Sequence, residues 1–105
     1  MISGKDRSFL KGLSHNLQPL LQVGKNGLTD SFYAECDKIL QDHELVKIAV
    51  LDAAELKAKD VANQIAERLG AEFVSAVGKK LVIYRPSETI LPKDRIHIPK
   101  WRRSE

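Results

Sequence analysis

The stretch Pro19-Leu20-Leu21-Gln22-Val23-Gly24-Lys25-Asn26-Gly27-Leu28-Thr29-Asp30 decides how this chain is read. Pro19 opens an apolar strand over residues 20–23, which runs into Gly24-Lys25-Asn26-Gly27, and a helix starts at Thr29-Asp30. Two glycines free the backbone to turn sharply and to lie close against a ligand. Lys25 sets a cation between them. Thr29 is a good helix N-cap, and the helix behind it presents unpaired N–H groups and the positive end of its dipole. Strand, Gly-x-x-Gly loop and helix N-terminus together make a site for a phosphate. The competing reading is a plain strand-to-helix turn, because Asn-Gly is a common turn pair.

Working outward, Phe32, Tyr33, Cys36, Ile39 and Leu40 recur at the spacing of a core-facing helix stripe. Residues 45–51 form a β-rich run with polar residues on either side, which predicts a strand. From residue 54 to 69 the pattern is helical again, with Ala58, Val61, Ala62, Ile65 and Leu69 on one side and Gly70 placed to end it. Residues 72–77 and 81–85 read as two short strands joined by a hairpin turn at Gly78-Lys79-Lys80, and Pro86 ends the second. Upstream, residues 4–13 read as a short helix capped by Ser3, with Phe9, Leu10 and Leu13 as its apolar side. The order is α-β-α-β-α-β-β. Two β-α-β units require crossovers and a mixed sheet, so the expected fold is α/β, a single domain with a four-stranded mixed sheet packed with helices. Residues 86–105 hold three of the four prolines and show no periodicity, which reads as an extended tail.

A chain of 105 residues supports one modest core. No apolar run approaches the roughly 20 residues of a membrane span. Residues 1–11 are polar and charged, so no secretory leader is expected. The single cysteine, Cys36, excludes an intrachain disulfide, and a cytoplasmic location is expected. The net charge of +3 conceals a segregation. Residues 1–29 carry four basic and one acidic group, residues 30–76 five basic and ten acidic, and residues 77–105 eight basic and three acidic. If the two basic ends meet in space, one face of the fold is positive and suits a polyanion. Ordinary scatter of solvated charge is the alternative.

Four blocks carry a resemblance. They are Leu10-Lys11-Gly12-Leu13-Ser14-His15, Val23-Gly24-Lys25-Asn26-Gly27-Leu28-Thr29, His43-Glu44-Leu45-Val46-Lys47, and Gly78-Lys79-Lys80-Leu81-Val82-Ile83-Tyr84-Arg85-Pro86. In this order and at this spacing the chain resembles the CRM domain in its bacterial stand-alone form, the YhbY family, over roughly residues 3–86. The resemblance implies an RNA-binding domain over residues 1–86, followed by a basic C-terminal extension over 87–105. It also implies a fold similar to the C-terminal domain of translation initiation factor three, and a glycine loop similar to that of KH domains. Bacterial members are linked to precursors of the large ribosomal subunit, and plant organellar relatives act in intron splicing. Nothing in the family pattern assigns the extension a role.

The site residues expected from these readings are Gly24, Lys25, Asn26 and Gly27 in the loop, joined by Lys79, Lys80 and Arg85 and by Lys5, Arg7, Lys11 and His15. A Gly-x-x-Gly loop of the KH kind clamps a single-stranded sugar–phosphate backbone. Lysines at a hairpin also protect a sheet edge, and the two roles are compatible. In the tail, Lys100, Trp101, Arg102 and Arg103 combine an aromatic with cations, which suits stacking and phosphate contact, or else a docked Trp101 on a loose basic tail. No catalytic constellation is legible: His15, His43 and His97 lack metal-ligand spacing, and Cys36 sits in a core stripe. The loop has neither the first glycine nor the Ser/Thr of a Walker motif. The expected protein is therefore not an enzyme and takes neither cofactor nor metal. The resemblance implies an RNA-binding protein whose partner is ribosomal RNA in precursor large subunits, and a cytoplasmic monomer with no membrane contact is expected. The alternatives are a small enzyme using the loop for a phosphorylated metabolite, and a protein-interaction module using its acidic helices for a basic assembly partner.

Overall fold

The structure, a computed structural model, describes residues 2–99. Its elements are α1 (Gly4–Ser14), β1 (Leu21–Val23), α2 (Asp30–His43), β2 (Leu45–Val50), α3 (Ala58–Leu69), β3 (Glu72–Val77) and β4 (Lys80–Tyr84). Short 3-10 turns lie at Asp52–Ala54 and Pro92–Asp94. The strand order is β1-β2-β4-β3. β1 runs parallel to β2, and β4 pairs antiparallel with both β2 and β3. The expected α/β topology with a mixed four-stranded sheet is therefore present.

Two of the three helix starts carry a side-chain cap. At α1, Ser3 Oγ accepts from the Asp6 N–H at 3.1 Å while the Asp6 carboxylate accepts from the Ser3 N–H at 3.0 Å. This reciprocal pair satisfies two N–H groups that the helix leaves open. At α2, Thr29 Oγ1 accepts from the Phe32 N–H at 3.0 Å. α3 starts later than its apolar pattern predicts, at Ala58 rather than residue 54. Glu55 adopts a left-handed conformation (φ 56°), which ends the 3-10 turn and sets Leu56 near the glycine loop before the helix resumes. The β3–β4 hairpin is also tighter than expected. Its loop is Gly78-Lys79 alone, Gly78 has φ 60°, and Lys80 already belongs to β4.

The sheet is covered on both faces. On one, Val23, Ile48, Val50, Leu81 and Ile83 pack with Phe32, Cys36 and Leu40 of α2 and with Val61 and Ile65 of α3. Each fully buried side chain of this size contributes about 1.5–3 kcal/mol. The other face carries a smaller core of Leu10, Leu45, Val74, Val82 and Tyr84, with Ile2, Phe9, Ile96 and Ile98 packed against it. Val74 reaches this core through a bulge: Phe73 pairs with Ile83 and Ser75 with Val82, leaving Val74 between them.

Residues 87–99 form no strand, pass through the 3-10 turn at Pro92–Asp94 and are tied down at Glu44. Its carboxylate is 1% exposed and accepts from the Ser87 and Ile96 N–H groups, each at 2.7 Å. Arg95 Nε lies 3.7 Å from the same carboxylate. Glu44 itself has φ 63° and ψ −52°, a conformation few non-glycine residues hold. The first helix and residues 96–98 thus meet on one side of the sheet, while α2 and α3, drawn from the acidic middle of the chain, cover the other.

Candidate nucleic-acid interface

The glycine loop leaves the end of β1 at the sheet edge and is closed by a hydrogen bond from the Gly27 N–H to the Gly24 carbonyl at 2.9 Å. Lys25 and Asn26 stand exposed at its tip. The two glycines have different causes. Gly27 has φ +69°, so the turn itself requires it. Gly24 lies outside the left-handed region, and an added Cβ would meet nothing nearer than Leu51 Cδ1 at 4.0 Å. A plain turn accounts for Gly27 and leaves Gly24 unexplained, whereas close approach of a ligand accounts for Gly24. Beside the loop is a shallow hollow of about 270 Å³, lined by Gly24–Gly27, Gln22, Thr29, Ser31, Phe32 and Glu35.

A second hollow, of about 260 Å³, lies on the opposite side of the sheet beneath the end of α1. Lys11, Ser14 and His15 come from α1 and the residue after it, Lys47 from β2, Ser75 and Val77 from β3, and Lys80 and Val82 from β4. Three expected site residues, Lys11, His15 and Lys80, converge here. Lys47 joins them and was not among the residues the sequence singled out; its signal is the alternation of β2, which puts it on the face opposite Val46 and Ile48. Lys79 does not follow Lys80. At the hairpin tip it pairs with Asp52 at 2.8 Å, and this bond holds the Asp52 carboxyl below the usual carboxylate range. Lys57 and Lys59, also not anticipated, line a third hollow beside Lys79 and Leu56.

Arg85 corrects an expectation. Its guanidinium donates to the Asp37 carboxylate at 2.7 Å, to the Leu69 carbonyl at 2.9 Å and to the Asp37 carbonyl at 3.0 Å, and its side chain is only 18% exposed. It ties α2 to the end of α3, leaving little of it for a phosphate. Arg7 is partly committed in the same way, its Nε donating to the Phe73 carbonyl at 3.0 Å. Lys5 stands exposed on α1. Lys100, Trp101, Arg102 and Arg103 lie outside the described residues.

Burial pushes the Cys36 thiol up to about 12, the reverse of what a nucleophile needs. Among the described residues no group of His, Cys, Asp and Glu could hold a metal ion, and no helix is long and apolar enough to cross a membrane.

The chain is similar to several known proteins. One is an RNA-binding protein of Haemophilus influenzae, 38% identical over 99 residues that span 94% of this chain and 96% of that one. Another is a Bacillus subtilis protein named as a probable RNA-binding protein, YqeI, 33% identical over 84% of this chain and 92% of the relative. These relatives are named for binding RNA, not for catalysis. The solution structure of a hypothetical protein from Staphylococcus aureus superposes with a TM-score of 0.74 at 31% identity, covering 94% of this chain and all of the other. The model of the CRS1/YhbY (CRM) domain matches residues 2–85, and the chain belongs to that family.

Proposed function

We propose that this protein binds RNA, and that its target is ribosomal RNA in precursor large ribosomal subunits, whose maturation it assists as a cytoplasmic monomer. The observation that carries the RNA reading is Gly24. This glycine is not demanded by backbone angle or by neighbouring atoms, yet it sits in an open loop beside an exposed lysine at a capped helix start. A sugar–phosphate backbone lying against residues 24–27 uses that missing side chain, with Lys25 neutralising its charge. Lys11, His15, Lys80 and Lys5 extend the positive footprint. The Haemophilus influenzae relative is named an RNA-binding protein and the Staphylococcus aureus structure shares the fold, which supports the same reading. The restriction to precursor large subunits rests on the family resemblance.

The acidic helices make a weaker docking surface than their composition suggests. Asp30 is paired with Arg68 at 3.1 Å and Asp37 with Arg85 at 2.7 Å, so part of their charge is neutralised within the fold. The test is gradient sedimentation of tagged protein from cell extract, wild type beside Lys25→Glu with its fold checked by circular dichroism. Wild type in the precursor large-subunit fraction, with the folded variant lost from it, supports the proposal. A folded variant that still co-sediments moves the site off the glycine loop. Wild type remaining at the top of the gradient overturns the ribosomal target.

A further inference from the structure

The hollow beneath α1 has an electrostatic character that an isolated domain does not require. Lys11, His15, Lys47 and Lys80 line it, and no carboxylate does. In the sheet register, Lys47 pairs with Val82 and Ala49 with Lys80, so Lys47 and Lys80 are diagonal neighbours on adjacent strands. Diagonal neighbours on one sheet face are within reach of each other's long side chains, so these two like charges repel. No ion pair relieves Lys11, Lys47 or Lys80 among the described residues, whereas Lys79, one residue away, is paired with Asp52. Lys47 is half-buried, with α1 as a wall above it.

A row of the sheet leads from the hollow to the strand that precedes the glycine loop. Gln22, which lines the loop's own hollow, pairs with Ala49, Ala49 with Lys80, and Lys80 with Val77. This row crosses the sheet on the α1 side. Adjacent strands lie about 4.8 Å apart, so Gln22 and Lys80 are separated by roughly 10 Å. A nucleic-acid backbone held at the loop reaches Lys80 and Lys47 within a few nucleotides. On either side of Lys80 the row offers Ala49 and Val77, the latter 65% exposed, as an apolar surface for a base.

We propose that this hollow is a second phosphate site, and that it takes the backbone of the same RNA strand that the glycine loop holds, as a single-stranded segment crossing the sheet. A strand locked in a duplex cannot bend away from its partner into a recess walled by α1, whereas a free strand can. The proposal rests on the RNA reading of the glycine loop, and the experiment separates the two.

Binding of a fluorescein-labelled single-stranded RNA of about ten nucleotides, mixed in sequence, and of its duplex form is followed by anisotropy across a salt series. Wild type is compared with Lys47→Gln, Lys80→Gln and Lys25→Gln, each with its melting temperature. Lys80 is exposed, so its variant keeps the fold even if Lys47→Gln does not. The expected result is tighter binding of the single strand. Lys47→Gln and Lys80→Gln should each weaken it several-fold and flatten the slope of log K against log salt by about 0.7, the loss of one phosphate contact. Unchanged affinity and slope in Lys80→Gln, with loss in Lys25→Gln, overturns the second site and leaves the glycine loop standing. Equal binding of duplex overturns the single-strand assignment. No RNA binding by wild type overturns both readings.

Discussion

Replacing Glu44 tests the buried carboxylate that fastens residues 87–99 to the domain. Its two 2.7 Å bonds from the Ser87 and Ile96 N–H groups are charge-assisted, each worth about 1.5–3 kcal/mol. Glu44→Ala removes both and leaves two N–H donors in a largely covered site, so a loss of roughly 3–5 kcal/mol is expected, a large share of a small domain's stability. Glu44 also sits at φ 63°, a conformation that costs of order 1–3 kcal/mol and persists only because its surroundings enforce it. Glu44→Gly removes the same bonds but relieves that strain. It should therefore be more stable than Glu44→Ala by about 1 kcal/mol, even after the extra flexibility glycine gives the unfolded chain. Urea unfolding of the three proteins measures both differences. Hydrogen exchange at the Ser87 and Ile96 amides, slow in wild type and fast in both variants, places the loss at the clamp. A loss below about 1 kcal/mol in Glu44→Ala would refute the clamp, and a glycine variant less stable than the alanine variant would refute the strain.

Other outcomes follow from the same geometry. Gly24→Ala should leave stability unchanged or slightly raised while weakening RNA binding, whereas Gly27→Ala, forced to φ +69°, should lose about 1 kcal/mol; thermal melts beside RNA titrations distinguish them. Arg85→Ala should cost roughly 2–4 kcal/mol in urea unfolding, because it abandons the Asp37 carboxylate and two carbonyls, while the salt slope of RNA binding stays at the wild-type value. The Cys36 thiol, pushed from 9.0 to about 12, should resist alkylation at neutral pH until the protein unfolds. Because the folded thiol keeps its proton where the unfolded one releases it, stability should fall as pH rises from about 9 towards 12. Cys36→Ala removes this cysteine-linked fall; if its pH profile matches wild type over that range, the assignment to Cys36 is wrong.

The sheet, its helices and the glycine loop were legible because each rests on a local signal: a period of two or 3.6, a Thr or Ser cap, a glycine at a turn. What escaped was set by pairing between distant residues. Lys47 and Lys80 look unrelated in sequence, and only the β2–β4 register makes them neighbours. Arg85 follows a strand in a basic segment and reads as a surface cation, but its partners lie on α2 and at the end of α3. The start of α3 was missed because residues 54–57 continue the helical pattern, and the left-handed turn at Glu55 has no glycine to announce it. Glu44 gave no sign of its role, because its partners Ser87 and Ile96 lie more than 40 residues away in a segment without periodicity.

The smaller core joins the two ends of the chain, with Leu10 and Phe9 packed among Tyr84, Ile96 and Ile98. During synthesis α1 is the first element made, yet the surface that buries it is completed last. The β2–β4 pairing also waits for residues 80–84, so the contacts that define the fold are long in sequence and slow to close. A nascent chain halted before residue 80 lacks Val82 and Tyr84 and cannot complete the cover over Leu10. Truncation from the C-terminal side of the domain should therefore expose α1, at its opposite end.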